Sequence, residues 1–469
     1  MRNKVFYLLV FISLLFIFSN SIYANSAQAI WWTEESSGII LESDNSPIII
    51  EHETLKFDIN TFPETYSYRK KDLLYDSYVT AEYTMYNPSD NTVTARLYFP
   101  YGNIPSYHYD FDKIYQPTEH SILVDEEEIQ YKVRHTYSFY NRDFDLDTDL
   151  PKLIDGYVID DFYTPDMEVF KYVFSLNDVD TDNPNSARLA FDLPLENTSL
   201  KILFPDGYGN GTQVSNRYRY SSKIDKMITL YSIGKELPED CHLTFYNSPH
   251  VRDTEIISGT IELVSKESIT FKELALTQYD PTSSILETDW YNAIVYSLNE
   301  NEQKGGLINS TNFSFDLTPH LMQWYEYEVT LDAGQRIMNS VKAPIYPKLD
   351  ATWKPPVYTY TYLLSPAKTW SNFGTLEINI NTPYYLLDST IQEFYETDTS
   401  YQLKLEGLPN EELVFELSSD PTVERSKMQA INPPEKVIRK KVKSAFALLI
   451  LFVGIGLIIK RSHRTNKEH

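Results

Sequence analysis

The sequence predicts a mostly β protein, made of antiparallel β-sandwich modules with a few helices and one C-terminal transmembrane helix. Three observations support this class. Apolar side chains recur at every second position in many short segments, clusters of Asn, Asp, Pro and Ser separate those segments, and residues 445–459 carry no polar side chain. Alternation with period two is typical of half-buried strands, whereas a long apolar run is typical of a membrane span.

The clearest strands are predicted at residues 78–86 and 93–99. Between them, residues 87–91 read Asn-Pro-Ser-Asp-Asn, which favours a turn because proline fixes φ and the Asn and Asp side chains bond the nearby backbone. We therefore predict an antiparallel hairpin. A second hairpin is predicted from residues 39–41 and 48–50, which flank a polar turn.

Similar alternation returns later in the chain and suggests a division into domains. Strands are predicted at residues 325–331, 358–362, 376–380, 403–405 and 413–417, and one helix at residues 288–300, where Trp290, Ile294 and Leu298 share a face. The predicted organisation is an N-terminal β domain (30–135), an irregular acidic middle region (136–255), a C-terminal β-sandwich domain (256–417) and a stalk (418–443).

Composition excludes several classes of function. The 469 residues include 41 Lys and Arg against 66 Asp and Glu, a formal net charge of −25. Because phosphate binding needs clustered basic side chains, nucleic acid is not expected as a partner. The single cysteine, Cys241, excludes an intramolecular disulfide framework and a cysteine-based zinc site.

The two ends of the chain predict export and anchoring. A basic start, an apolar run and small residues before Ala24 or Ala29 are typical of a signal peptide, assigned to residues 1–24 with either alanine as the cleavage point. Residues 444–460 are predicted to span the membrane, with residues 461–469 as a basic cytoplasmic tail. The flanking cations are nearly balanced, so the signal peptide sets the orientation: a single-pass protein of the cell membrane with its ectodomain outside and its C-terminal helix in lipid.

Two segments of the first β region carry a resemblance. Residues 78–100, YVTAEYTMYNPSDNTVTARLYFP, and residues 122–137, ILVDEEEIQYKVRHTY, resemble the N-terminal β domain of inter-alpha-trypsin-inhibitor-type proteins (the VIT-like domain). They also resemble secreted, membrane-anchored bacterial β-proteins of unknown function, to which residues 360–380 are similar as well. The resemblance covers about 70 residues. The inter-alpha-trypsin pattern normally continues into a von Willebrand A domain with D-x-S-x-S, which this sequence lacks, so metal-dependent adhesion is not implied.

Several short motifs resemble catalytic or ligand-binding signatures, and we favour a structural explanation for each. Residues 365–368 form S-x-x-K and residues 43–45 and 89–91 form S-D-N, but the order differs from that of penicillin-recognising enzymes and K-T-G is missing. Residues 207–211 read G-x-G-x-G without a following helix, which predicts a turn. His108 and Asp110 are the closest ligand-like pair, and we interpret them as ordinary surface or packed residues.

The acidic runs and the tyrosines left alternatives open. The alternating aspartates at 143–149 and 178–182 could bind calcium weakly or form solvated loops, and we favour the loops because both runs lack the glycine and the terminal glutamate of a calcium loop. Tyr358, Tyr360 and Tyr362 could stack on sugars or fill a core, and we predict core. No catalytic, cofactor-binding or metal-binding residue and no cofactor is assigned.

These observations predict a membrane-anchored extracytoplasmic β-sandwich protein that is not a catalyst. It would serve as a surface or envelope binding module, with an envelope polymer or a protein as its partner, or as the exported subunit of a membrane assembly. The alternative is a secreted carbohydrate-active enzyme with β-sandwich domains, which would need a facing pair of carboxylates that the sequence cannot nominate among so many acids.

Overall fold

The computed structural model describes residues 30–425, apart from 32–35, 38, 42–45, 63–71, 75, 103–112, 116–119, 139–144, 195–199, 205–209, 215–216, 240, 302–306, 309–320 and 351. The predicted signal peptide, most of the stalk, the predicted transmembrane helix and the tail lie outside these residues. None of the helices in the described residues is both long enough and apolar enough to cross a membrane. Residues 30–423 form one compact unit.

The described residues are mostly β, which confirms the predicted class at that level. The strands, numbered in chain order, are β1 (Ile30–Trp31), β2 (Ser36–Ser37), β3 (Ile40–Leu41), β4 (Ile49–Thr61), β5 (Asp72–Leu74), β6 (Asp76–Tyr86), β7 (Val93–Gly102), β8 (Lys113–Tyr115), β9 (Ser121–Val124), β10 (Glu127–Glu128), β11 (Lys132–Tyr137), β12 (Glu168–Asn177), β13 (Arg188–Pro194), β14 (Lys201–Leu203), β15 (Asn210–Val214), β16 (Arg217–Lys223), β17 (Met227–Ile233), β18 (Leu243–Tyr246), β19 (Ile256–Ile257), β20 (Thr260–Thr270), β21 (Leu307–Ile308), β22 (Leu321–Leu331), β23 (Arg336–Pro344), β24 (Lys348–Asp350), β25 (Trp353–Lys354), β26 (Val357–Leu363), β27 (Phe373–Asn381), β28 (Tyr385–Ser389), β29 (Tyr395–Glu396), β30 (Ser400–Glu406), β31 (Leu413–Ser418) and β32 (Glu424–Arg425). The helices are α1 (Leu146–Asp149), α2 (Phe271–Ala275) and α3 (Glu287–Asn301), with 3-10 turns at Leu150–Lys152, Asp253–Glu255 and Ser365–Thr369.

Two large sheets form what we call the frame sandwich. One sheet contains β7, β22, β11 and β26 among its ten strands, and the other runs in the order β10-β9-β23-β6-β4-β27-β30-β29. In both, strands from early parts of the chain pair with strands from late parts: β7 with β22, β6 with β23, and β4 with β27 in parallel. The strands expected in two separate domains, 30–135 and 256–417, therefore share the same sheets, because local periodicity predicts strands but not their partners.

The predicted hairpins are wrong in their pairing, although their strands exist. β6 and β7 follow one another but lie in opposite sheets, and β3 and β4 do the same. The segment between β6 and β7 is thus an arch across the sandwich. Asn87 is buried in it and joins it to the parallel arch between β22 and β23: its amide nitrogen donates to the carbonyl oxygens of Leu331 and Asp332, 3.1 Å each. A turn-forming Asn here stabilises the crossing of the chain between sheets.

The predicted tyrosine stripe lies in the core of the frame sandwich. Tyr358, Tyr360 and Tyr362 are 4%, 0% and 0% exposed, which confirms that this stripe is core. Tyr360 stacks on Phe415 with ring centroids 5.2 Å apart, and Tyr362 meets Phe57 edge-on at 5.6 Å. Such contacts add to the burial of large rings.

A second, smaller sandwich, which we call the insert, lies between β11 and β22 in the chain. Its two sheets run β20-β12-β17-β14-β21 and β15-β16-β13-β18-β19, and they enclose buried side chains such as Phe174, Phe191 and Tyr220. The region expected to be irregular, 136–255, therefore contains regular strands. We did not predict them because many acidic side chains interrupt the apolar pattern of this region.

The helices close one end of the insert. The structure confirms the predicted helix as α3, with Trp290, Ile294 and Leu298 buried. With α2 it packs on Val169 and Ile233, at the ends of β12 and β17. The same cluster includes Tyr137 and Leu321, the residues at which the chain leaves and re-enters the frame sandwich, so the helices lie at the junction of the two sandwiches.

Candidate binding surface

The structure keeps the predicted motif residues apart. Ser365 begins a 3-10 turn after β26, where its backbone amide donates to Glu412 at 3.0 Å, while Ser89 lies in the arch before β7. These places lie at opposite ends of β7, about 25 Å apart at about 3.3 Å per residue. Residues 43–45, residues 207–209 of the glycine motif, His108, Asp110 and Asp143 lie outside the described residues.

The first acidic run has a structural role where it is described. Asp149 is buried and accepts a hydrogen bond from the ammonium of Lys152 at 2.8 Å, and this ammonium also donates to the carbonyl oxygen of Tyr137. The other carboxylate oxygen of Asp149 accepts a hydrogen bond from the backbone amide of Asp145. The charge of the Asp149 carboxylate is thus balanced by the Lys152 ammonium. In the described parts of the chain, no group of three or more His, Cys, Asp or Glu side chains is placed to hold a metal ion.

A buried charge cluster lies between the two sandwiches and was not predicted from the sequence. Arg134 on β11 bonds Asp289 at the start of α3 (3.1 Å) and Glu326 on β22 (2.5 Å), and all three side chains are at least 95% buried. The backbone amide of His135 also donates to Asp289, at 2.8 Å. Arg134 shares a strand face with the exposed Lys132, so the alternation of β11 gave no signal that this guanidinium is buried.

Burial sets the protonation states in this cluster. Desolvation raises the pKa of Asp289 although Arg134 and its hydrogen bonds act in the opposite direction. Desolvation, followed by repulsion from Arg134, lowers the pKa of His135 to about 4, so this imidazole is neutral near pH 7. The two carboxylates that the fold brings together here are bridged by a guanidinium, an arrangement suited to holding the sandwiches together rather than to acid–base chemistry.

An apolar edge of the insert is a candidate surface for binding a partner. β19 and β20 are the terminal strands of the two insert sheets, and only Ser258 and Gly259 separate them in the chain. Both sheet edges therefore lie on one side of the insert. Ile256 is 54% exposed, Leu263 is 52% and Val264 is 55%.

Leu263 is half-exposed, although its strand pairing directs it towards the inner face, because β20 is the terminal strand of its sheet. Leu263 stands opposite Phe174 of β12 and therefore points to the inner face of its sheet, as does Ile261 opposite Leu176. Ile261 packs partly against the insert core, whereas Leu263 remains half-exposed at the margin. The connection is tight, since a Cβ at Gly259 would lie 2.5 Å from the Phe245 ring.

The same edge is shaped against simple strand addition. Val264 is the extra residue of a β-bulge, because Phe174 pairs with Leu263 and Val173 with Ser265. Lys266 lies over the rings of Phe170 and Tyr172, 5.6 and 5.7 Å from their centroids, and also contacts Glu236. Bulges and charges are the usual protection of an edge strand. Side chains, rather than the open backbone, are therefore the part of this edge suited to contact.

Comparisons with known proteins give little further information. No protein-family description matches the chain, and no curated protein matches it. Among solved structures, the chain is similar to a "putative nutrient binding protein" of Legionella pneumophila, with 9% identity, 83% of this chain and 72% of that chain covered, and a TM-score of 0.35. A likeness of this degree carries no argument about fold or function.

Proposed function

We propose that this protein is a non-catalytic binding module, exported and held at the outer face of the cell membrane by its C-terminal helix, and that it binds a partner protein through the β19–β20 edge of the insert. The observation that carries the proposal is the exposure of Leu263 and Val264 on β20, with Ile256 exposed on β19, the strand that precedes it. Scattered apolar side chains are normal on a surface, but neighbouring ones on a single edge are typical of interaction sites.

Charge indicates the chemistry of the partner. Glu262 is exposed on β20. Glu267 and Asp253 are also exposed, but Lys171 lies 3.6 Å from Glu267 and Arg219 lies 2.7 Å from Asp253. The net charge of the whole chain is −25. A partner surface that is apolar at its centre and carries Lys or Arg around it would complement this edge and would be attracted over a distance.

The proposed location depends on the two chain ends described above. The signal peptide would export the N-terminus, and residues 444–460 would stop transfer in the membrane. Both lie outside the described residues, so the experiment below tests location as well as binding.

The test places a photoreactive group on the edge in intact cells. In a Cys241→Ser background, Leu263→Cys is labelled from outside with a membrane-impermeant, thiol-directed photocrosslinker and then irradiated. We expect labelling, followed by a crosslinked adduct with one polypeptide. Adding Val264→Lys should remove the adduct but not the labelling, because a charge at the centre of the apolar edge opposes docking.

Met338→Cys provides the matched control. Met338 lies on β23 of the frame sandwich and is also 52% exposed, so it should take the label without giving the adduct. Absence of labelling at both positions would contradict the proposed location. Labelling with the same adducts at both positions, or with none at residue 263, would contradict the proposed binding edge.

A further inference from the structure

Glu53 occupies an unusual place for a carboxyl group. It lies on β4 in the middle of the frame sandwich and is 0% exposed. Tyr83 of β6 stands opposite it on one side and Leu376 of β27 on the other. From the opposite sheet, Tyr362 of β26 approaches both Glu53 and Tyr83.

The backbone of β4 turns this side chain inward. Ile48 and Ile50 are buried, and continued alternation would bury His52, but the register shifts at Glu51 so that Glu53, Leu55, Phe57 and Ile59 point into the core instead. The bulge fits only because Gly374 lies beside it: a Cβ there would come within 2.1 Å of the Glu51 carbonyl oxygen.

A salt bridge on the outer surface holds the bulge. Arg336 of β23 forms two hydrogen bonds with the Glu51 carboxylate, 2.8 and 2.9 Å long. The inward position of Glu53 is therefore a built feature of the strand. Every other inward position named on β4 is apolar.

The surroundings do not neutralise a charge on Glu53. Neither carboxyl oxygen has a hydrogen-bond partner of normal geometry, and the Tyr83 hydroxyl offsets only a minor part of the desolvation. The Tyr83 hydroxyl accepts a hydrogen bond of 3.2 Å from the backbone amide of Ile39 and lies 3.5 Å from the Tyr362 hydroxyl. Among the described residues, the titratable groups that act on Glu53 or its tyrosine neighbours are Tyr83, Tyr362 and, through Tyr362, Tyr327.

We propose that Glu53 is a proton-binding switch of the frame sandwich: the two sheets close on the protonated carboxyl, and loss of that proton loosens their packing. Among the described residues, no cation acts on this carboxyl, so its ionised form would be stable only if water entered between the sheets. The proposal concerns the frame sandwich and is independent of the binding edge on the insert.

The direction of the pH effect follows from burial. Desolvation raises the pKa of Glu53 from its ordinary 4.5 to about 8, whereas Tyr83 and Tyr362 have pKa values raised well above 10 and stay neutral. The folded state thus keeps a proton that the unfolded state releases near pH 4.5. The contribution to stability is complete below about pH 4.5 and is lost progressively up to about pH 8. Over that range the folding equilibrium constant should fall about 3,000-fold.

The test compares thermal melting of the full chain in detergent micelles between pH 5 and pH 9. Glu53→Gln keeps the size of the side chain but cannot ionise, so its melting temperature should change much less with pH than that of the unaltered protein. Glu82→Gln is the control, since Glu82 lies on the neighbouring strand, half-buried, and pairs with Lys56 at 2.7 Å. It should keep the unaltered pH dependence. Glu53→Leu replaces Glu53→Gln if the amide prevents folding.

An infrared measurement tests protonation directly. At pH 7 the unaltered protein should show the carbonyl band of a protonated carboxylic acid, and Glu53→Gln should lack it. If the band is absent from the unaltered protein, or if Glu53→Gln and Glu53→Leu melt with the same pH dependence as the unaltered protein, the proposed switch is wrong.

Discussion

The two sandwiches of this protein differ in the length of their strands, in the groups that they bury and in the side chains that they expose at their edges. The frame sandwich has strands of up to 13 residues and a buried carboxyl at its centre. The insert has two five-stranded sheets and leaves apolar side chains uncovered at the edge formed by β19 and β20. Under the proposed function, the frame sandwich would support the insert and the insert would present the binding edge, within one compact unit.

The largest expected effect tests the frame core. Tyr360→Ala removes a fully buried ring that stacks on Phe415, and it should lower the free energy of unfolding by about 3–5 kcal/mol because a large cavity remains. Chemical denaturation measures it. Tyr395→Ala, at a position 71% exposed, should change stability by less than about 0.5 kcal/mol. Equal effects of the two substitutions would remove the contrast between core and margin.

The next effect tests the junction between the sandwiches. Arg134→Met leaves Asp289 buried without its cation, while Glu326 keeps Lys132 at 3.5 Å and Arg96 at 3.9 Å. We expect a loss of about 3 kcal/mol, near the low end of the values for a broken buried ion pair. Denaturation followed separately by fluorescence and by circular dichroism should show whether the two sandwiches then unfold apart.

An exposed ion pair provides the comparison for Arg134. Lys404 contacts Glu377 on the outside of the frame sandwich, and Lys404→Met should cost less than about 1 kcal/mol. A similar loss in both variants would mean that the junction cluster is no more important than a surface pair.

The smallest effect tests the insert margin. Val264→Lys replaces an exposed residue of a bulge, so the free energy of unfolding should change by less than about 0.5 kcal/mol. Thermal melting of the full chain measures it. A loss above 1 kcal/mol would show that Val264 contributes to packing, and the edge would then be a structural part of the insert.

Local patterns predicted elements well and partners poorly. Period two located β6, β7, β22, β26 and β27, and the helical pattern located α3, because both depend on which side chains face a core. Asn87 was interpreted as part of a hairpin turn. Its actual role, joining two arches, depends on residues about 245 positions away that no local pattern reveals.

The polar groups of the interior were the least predictable. Glu53 follows two polar neighbours, and only the bulge at Glu51 brings it inward, so its alternation was misleading in the sequence. The burial of Arg134 depends on its hydrogen bonds with Asp289, which lies on a helix of the insert. The exposed edge at Leu263 was equally hidden, because its apolar residues look like those of any covered strand.

The placement of the insert has a consequence for the order of folding. β4 and β27 pair side by side although His52 and Thr375, which share a hydrogen bond, lie 323 residues apart. The insert can complete its own sheets from residues between β11 and β22, whereas the frame must wait for the last third of the chain. Contacts so distant in sequence slow folding because a long loop must close first. During synthesis, β4 and β6 can pair with each other while the insert forms, but β4 still lacks β27 and β6 still lacks β23. In that interval their open edges expose the nascent chain to aggregation.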